Sequence, residues 1–236
     1  MPIRLPVKGS DEDYEINPSK IIALGLNYRE HIKESVSVKK GGSAPEVPAE
    51  PILFPKTPNV LIPAEAPIVI PAFLREYGFE NPRVDYEAEL AFVINEKCKN
   101  VSAENACDVI LGFTCMNDVS QRNIQTGDKS GWFRGKSLDS FGPIGPQLVM
   151  SRDLADPQNL DIRTRLNGRT VQDSNTRQMI FPIPEIVAFI TKNFTLEAGD
   201  IILTGTPSGV GPIKGGDVVE VEIEGIGVLR NPVIEE

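Results

Sequence analysis

Histidine is almost missing: His31 is the single one in 236 residues. That excludes a zinc site built on several imidazoles, and a reaction that needs an imidazole has one place to find it. Cysteine is scarce too. Cys98, Cys107 and Cys115 are odd in number and none has C-x-x-C spacing. Without a disulfide framework they read as reduced thiols of a cytosol-like compartment. Long apolar runs are lacking. The longest early one, Ile21 to Leu26, is far too short to span a bilayer, and MPIRLPVKGSDEDYEINP has no apolar core of a signal peptide. A soluble, cytoplasmic protein is expected. Positive charge is in deficit, 24 Lys and Arg against 33 Asp and Glu, for a net charge of −9. Nucleic acid and anionic membrane would both repel such a chain. Neither G-x-G-x-x-G nor a phosphate-loop pattern occurs, so nothing points to a nucleotide cofactor. Gly205-Thr206-Pro207-Ser208-Gly209 only approximates a nucleophile elbow, and no second histidine supports a triad elsewhere.

Glycine and proline are abundant, 20 of each, and 40% of residues are hydrophobic. Frequent turns argue against a helical bundle and for many short strands. The length fits one large domain, residues 21–236, preceded by an arm or hairpin over residues 1–20. Ile21 to Leu26 reads as a buried strand emptying into a loop or short helix over Asn27 to Glu34. Ser35 to Pro51 is polar and rich in Gly and Pro, which suits either an active-site lid or a plain insertion. Val84 to Asn95 reads as one strand with Asp85, Glu87 and Glu89 on a single face. Ser102 is placed to cap a short helix reaching Ile110, and Gly112 to Asp118 reads as the next strand. A helix is expected over Phe181 to Ile190, with proline in its first turn. Val218 to Ile223 alternates, as an antiparallel strand with one wet face does. The sum is α+β with a large mixed β core.

Four constellations could carry chemistry. Asp85, Glu87 and Glu89 project side by side from a strand that becomes wholly apolar. Buried neighbouring carboxylates take up protons unless a cation lies between them, and all-oxygen ligands suit a hard divalent ion. A solvated acidic strand start is the alternative. Asp118, just past an apolar strand, is either a third ligand or a turn and cap residue. His31 precedes Glu34 by three residues, so one helical turn brings them together as an imidazole and its orienting carboxylate; a surface histidine is the alternative. Arg122 and Gln125 share a helix face, Lys136 follows in GWFRGKS, and the turn Thr204 to Gly211 offers backbone N–H groups to anions. For each cation the alternative is an exposed charge.

Taken together, GLNYREHIKE, PILFPKTPNVLI, VDYEAELAFVI, GFTCMNDVSQRNIQ, FRGKSLDSFGPIGP, LNGRTVQDSNTRQMIF and GDIILTGTPSGVGP resemble the fumarylacetoacetate hydrolase superfamily, in family order from about residue 21 to the C-terminus. The resemblance implies a mixed β-sandwich roll with a few short helices. It implies Mg²⁺, or a similar ion such as Mn²⁺ or Ca²⁺, on Glu87, Glu89 and Asp118. It assigns catalytic roles to His31, Glu34 and Lys136, and substrate binding to Arg122, Gln125 and Thr206. It implies a homodimer acting on a small 2-oxo acid. The leading expectation is hydrolysis of a C–C bond in an acylpyruvate-type 2,4-dioxo acid. The second is isomerisation, tautomerisation or decarboxylation of a related 2-oxo acid such as oxaloacetate or 2-hydroxyhepta-2,4-dienedioate. A non-catalytic binding protein on the same scaffold is the third. Ser35 to Pro51 and Ala72 to Arg83 are longer than the resemblance predicts. Both flank site residues and bear on substrate identity.

Overall fold

The computed structural model describes residues 3–34, 47–127, 129 and 132–236; the side chains of Lys33 and Glu34 lie outside the described residues. Strands β1 (Ile3–Pro6) and β2 (Asp13–Ile16) make an antiparallel hairpin. Then come β3 (Ile21–Gly25), α1 (Arg29–Glu34), β4 (Ile52–Lys56), β5 (Leu61–Ile62), β6 (Ile68–Ile70), β7 (Val84–Tyr86) and β8 (Ala88–Ile94). The middle holds β9 (Ile110–Asn117), β10 (Ser120–Gln121), α2 (Arg122–Gly127), α3 (Phe133–Lys136) and β11 (Gly142–Met150). The last third holds β12 (Asp161–Leu166), β13 (Arg169–Asn175), α4 (Ile183–Asn193), β14 (Ile201–Leu203), β15 (Gly211–Ile213), β16 (Val218–Ile223) and β17 (Gly227–Glu235).

A seven-stranded mixed sheet, ordered β4-β3-β14-β8-β9-β11-β5, is the spine. A five-stranded sheet, β13-β12-β16-β17-β6, lies against one face of it. Between them Leu90, Phe92 and Phe113 of the first sheet meet Ile162, Val221 and Leu229 of the second, with Ile186 and Ile190 of α4 completing the layer. On the other face Ala91 and Val93 join Leu5 and Ile16 of the hairpin. Strand β8 is therefore apolar on both sides because both sides are covered: all seven of its residues are buried. The hairpin is a wall of this second core, since Leu5 is 2% exposed. This is the mixed β roll with few short helices that the resemblance implies.

Several local expectations need adjustment. The chain does not run from Val84 to Asn95 as one strand. It breaks at Glu87: β7 joins a separate three-stranded sheet, β10-β7-β15, while β8 enters the spine. The segment after Ser102 is a 3-10 helix, Ala103–Val109, and Ser102 makes no side-chain cap. Helix α4 starts two residues later than expected, with a proline in its first turn. The alternating β16 pairs antiparallel with β12 and β17 and buries every second residue. Most of the expected lid, residues 35–46, lies outside the described residues. Among the described residues no helix is long and apolar enough to cross a membrane, and the three cysteines are free thiols.

Candidate metal centre and catalytic cavity

The break at Glu87 builds the centre. Its backbone N–H donates to the Asn117 side chain at 2.9 Å, and its carbonyl accepts from Asp118 N at 2.9 Å. These bonds fix the corner between two sheets and bring the end of β9 against the start of β8. As a result Glu87, Glu89 and Asp118 each place a carboxylate oxygen within 4.8 Å of the others. All three are buried, at 3%, 1% and 0% exposure. Asp85 does not join them. It faces the guanidinium of Arg122 at 2.8 Å and that of Arg83 at 2.7 Å.

From there cations and carboxylates alternate. Arg122 bridges from Asp85 to Glu87. The Lys136 ammonium lies 2.5 Å from both Glu87 and Asp118. A second buried lysine, Lys56, sits 2.6 Å from the remaining Asp118 oxygen. Lys56 donates to the carbonyl of Lys136 at 2.5 Å, so it also holds the backbone of α3. Helix α3 reaches this depth because Gly135 lets it lie on α2: a Cβ there would come within 2.7 Å of Gln125 N and 2.8 Å of Gln121 O. Arg122 and Gln125 do share a helix face, 2.9 Å apart.

Glu89 is the exception. Among the described residues no ammonium or guanidinium touches it; its partner is the N–H of Gly205, at 2.7 Å, in the Gly-rich turn. Burial first, then the charges of Asp118 and Glu87, push its carboxyl well above the usual carboxylate range. Burial raises Glu87 too, but Arg122, Lys136 and His31 outweigh it and hold that carboxyl well below its ordinary value. The two lysines differ in the same way. Burial opposes the charge of both. Asp118 and Glu87 more than offset this at Lys136, raising it. At Lys56 burial wins and the ammonium is pushed below its ordinary value. Glu89 is thus the one carboxylate of the triad with no cation in contact among the described residues, and the donors of the triad are all oxygen. Those are the terms on which a hard divalent ion binds, so the residues fit the metal that the resemblance implies.

His31, in α1, is 7% exposed and lines the same cavity of about 340 Å³ as Arg83, Arg122, Gln125, Lys136 and Thr206. Leu26, at φ 58°, makes the left-handed bend that carries the chain from β3 into α1. Non-glycine residues rarely adopt this conformation, and it persists only where the surroundings enforce it. Here the enforcement is Asn27. Its amide donates to the carbonyls of Thr204 at 2.8 Å and Phe181 at 3.1 Å, and its oxygen accepts from Phe181 N at 2.8 Å. Tyr28 buries its ring and hydroxyl. Desolvation, then the charge of Glu89, keeps that phenol neutral. The Glu34 side chain, the expected partner of His31, lies outside the described residues.

The structure therefore brings Glu87, Glu89, Asp118, His31, Arg122, Gln125, Lys136 and Thr206 to one cavity and its floor. Sequence reasoning assigned no role to Lys56, Arg83, Asn27, Asn117 or Gln172. One signal for Lys56 was available: in β4 it follows buried Phe54 at period two, which puts a lysine on the inward face. Lys56→Met is expected to destabilise the metal-free protein. Breaking a buried ion pair costs about 3–5 kcal/mol, and the remaining Lys136 places this case near the lower end. For a chain of this size that is a fall of roughly 6–12 °C in melting temperature. Thermal melts read it directly, and an unchanged midpoint removes Lys56 from the stabilising set.

Residues 20–234 match the family described as Fumarylacetoacetate (FAA) hydrolase C-terminal. The chain belongs to the fumarylacetoacetate hydrolase family. Relatives of this fumarylacetoacetate hydrolase family member differ in named activity. It is 44% identical over 227 residues to the mitochondrial oxaloacetate tautomerase fahd2 of Xenopus laevis, spanning 92% of this chain and 66% of that protein. The crystal structure of 2-hydroxyhepta-2,4-diene-1,7-dioate isomerase from Mycobacterium marinum is similar with a TM-score of 0.80 at 38% identity, covering 96% of this chain and 82% of that one. Fumarylpyruvate hydrolase from Pseudomonas aeruginosa, solved with Mn²⁺ and pyruvate, reaches a TM-score of 0.85 at 26% identity, covering 100% and 97%. The family thus includes hydrolases and isomerases.

Proposed function

We propose that this protein is a metal-dependent enzyme that forms and protonates the enolate of a 2-oxo acid carrying a second carboxylate, with keto–enol tautomerisation as its reaction. The observation that carries this is the charge of the cavity. Arg83, Arg122, Lys136 and Lys56 balance Asp85, Glu87, Glu89 and Asp118 one for one. A divalent ion on the triad leaves two positive charges for the ligand, which matches a dianion. Arg83 stands toward the mouth, with its side chain 40% exposed and only its Nε committed to Asp85. A second carboxylate would find its free guanidinium N–H groups there.

The ion held by Glu87, Glu89 and Asp118 would act as a Lewis acid toward the 2-oxo group. The remaining work falls to side chains. Arg122 and Lys136 hold positive charge beside the oxygen on which negative charge develops. His31 takes a proton from the carbon next to the ketone and returns one there. Lys56 anchors Asp118 through their buried ion pair, and Asn27 fixes the loop that presents His31. The homology to oxaloacetate tautomerase supports this reading. C–C hydrolysis of an acylpyruvate is the second reading, favoured by the likeness to fumarylpyruvate hydrolase with pyruvate bound. It uses the same residues, with His31 drawing the proton from water. A homodimer acting on a free small molecule is part of the proposal.

The test is a product analysis with Mn²⁺ or Mg²⁺ and with chelator. Faster loss of the enol absorbance of oxaloacetate, with no pyruvate released, is the expected result. Pyruvate and a carboxylic acid from fumarylpyruvate, with no effect on oxaloacetate, would replace tautomerisation by hydrolysis. No metal-dependent turnover of either would end both readings.

A further inference from the structure

Gln172 lies on β13 and is 1% exposed, and all its side-chain hydrogen bonds go to neutral groups. A bulge aims it inward. In the β12–β13 pairing Thr164 opposes Gln172 and Arg165 opposes Thr170, so Val171 has no partner across the ladder. The carbonyl of Val171 presses on Gly209, where any Cβ would collide with it and where φ is +94°. Only glycine satisfies both conditions.

Pointed inward, Gln172 uses its whole hydrogen-bonding capacity. Its Oε1 accepts from Ala88 N at 3.1 Å and from Thr164 Oγ1 at 2.6 Å. Its Nε2 donates to Thr206 Oγ1 and to the carbonyl of Pro207, both at 2.9 Å. Ala88 stands between Glu87 and Glu89. Thr206 follows Gly205, whose N–H donates to Glu89 at 2.7 Å. A closed ring results: Glu89, Gly205, Thr206, Gln172, Ala88 and back to Glu89. One neutral amide ties the start of β8, flanked by Glu87 and Glu89, to the turn that lines the cavity.

We propose that Gln172 is a positioning residue that sets the distance between the Glu87–Glu89 corner and Thr206, and so tunes ligand affinity through Thr206. The ligand half of this statement rests on the function proposed above. A residue that merely filled space would affect folding stability alone.

The experiment is a double-mutant cycle on Gln172→Met and Thr206→Val, with Mn²⁺ and oxalate as probes, read by calorimetry. Gln172→Met is expected to leave Mn²⁺ affinity within about threefold of wild type and to lower oxalate affinity about tenfold, the loss typical of one hydrogen bond to a charged or fully buried group. Thr206→Val is expected to lose a similar factor. The double variant should be little worse than either single one, because both remove the same link. Additive losses, or a lower melting temperature with unchanged oxalate affinity, would overturn the proposal. Should Gln172→Met fail to fold, Gln172→Glu takes its place in the cycle, since it keeps an acceptor for Ala88 while losing the donors to the turn. Amide hydrogen exchange on metal-free protein separates the proposal from the function reading. If Mn²⁺-loaded wild type bound no oxalate, the function reading would fall. Faster exchange at Gly205 in the Gln172 variant would still show that Gln172 holds the turn, and unchanged exchange there would refute it.

Discussion

Glu89→Gln is expected to cut Mn²⁺ affinity by more than about 100-fold and, in the same protein, to raise the stability of the metal-free fold at neutral and alkaline pH. Removal of an outer-shell partner typically costs about 10–100-fold, and a ligand costs more. The stability effect has the opposite sign for a definite reason. Burial, then Asp118 and Glu87, hold the Glu89 carboxyl well above its ordinary 4.5. Between that ordinary value, which the unfolded chain keeps, and the raised one, the folded state binds one more proton than the unfolded. Stability of the metal-free protein therefore falls as pH rises through this window. Glu87 behaves inversely, because its folded value is depressed below 4.5. Its contribution is complete above about 4.5 and is lost only in more acidic solution. Glutamine at position 89 still accepts from Gly205 but cannot ionise, so the decline disappears. Metal binding must expel the Glu89 proton, and wild-type affinity should climb about tenfold per pH unit across the window. Calorimetry in two buffers of different ionisation heat counts that proton. Wild-type affinity and slope in Glu89→Gln would show that Glu89 is no ligand.

His31→Ala is expected to slow turnover by about 10²–10⁴-fold, the usual loss when a positioned base is removed. Mn²⁺ affinity should stay near that of wild type, since His31 stands outside the three carboxylates that could hold the ion. That split is the diagnostic part: a fall in rate together with a loss of metal would mean a collapsed site. Any decarboxylation of oxaloacetate should suffer less, because an electron sink is its main requirement, although return of the proton also draws on His31. Steady-state rates with saturating Mn²⁺, beside metal titrations of both proteins, decide it. A wild-type rate in His31→Ala would assign the proton transfers to another group.

What could be read beforehand was local. Ile21 to Gly25, the alternating Val218 to Ile223 and the proline-led α4 announce themselves by period and punctuation. Glu87, Glu89 and Asp118 were legible as acids next to apolar runs. The rest depended on partners distant in sequence. Lys56 meets Asp118 across 62 residues of chain, and nothing near Lys56 distinguishes it from a solvated lysine except strand parity. Alternation could not reveal that Val84 to Ile94 breaks at Glu87, because the break is made by Asn117 and Asp118 from another strand. Asp85 keeps the same period as the two glutamates yet serves the arginines, since it lies on the far side of that corner. Gln172 faces inward only because of a bulge, and a bulge shifts the period on which such readings depend.

The Lys136 ammonium stands between Glu87 and Asp118, two of the three clustered carboxylates, 2.5 Å from each. A divalent ion held by these carboxylates would have to take the place of that ammonium, a monovalent occupant giving way to a divalent one. The displaced ammonium would stay on α3 beside the cavity, where an entering anion would be its new counter-charge. Under the proposed function the ion would then come first and free the lysine, and the substrate would come second and give it a partner.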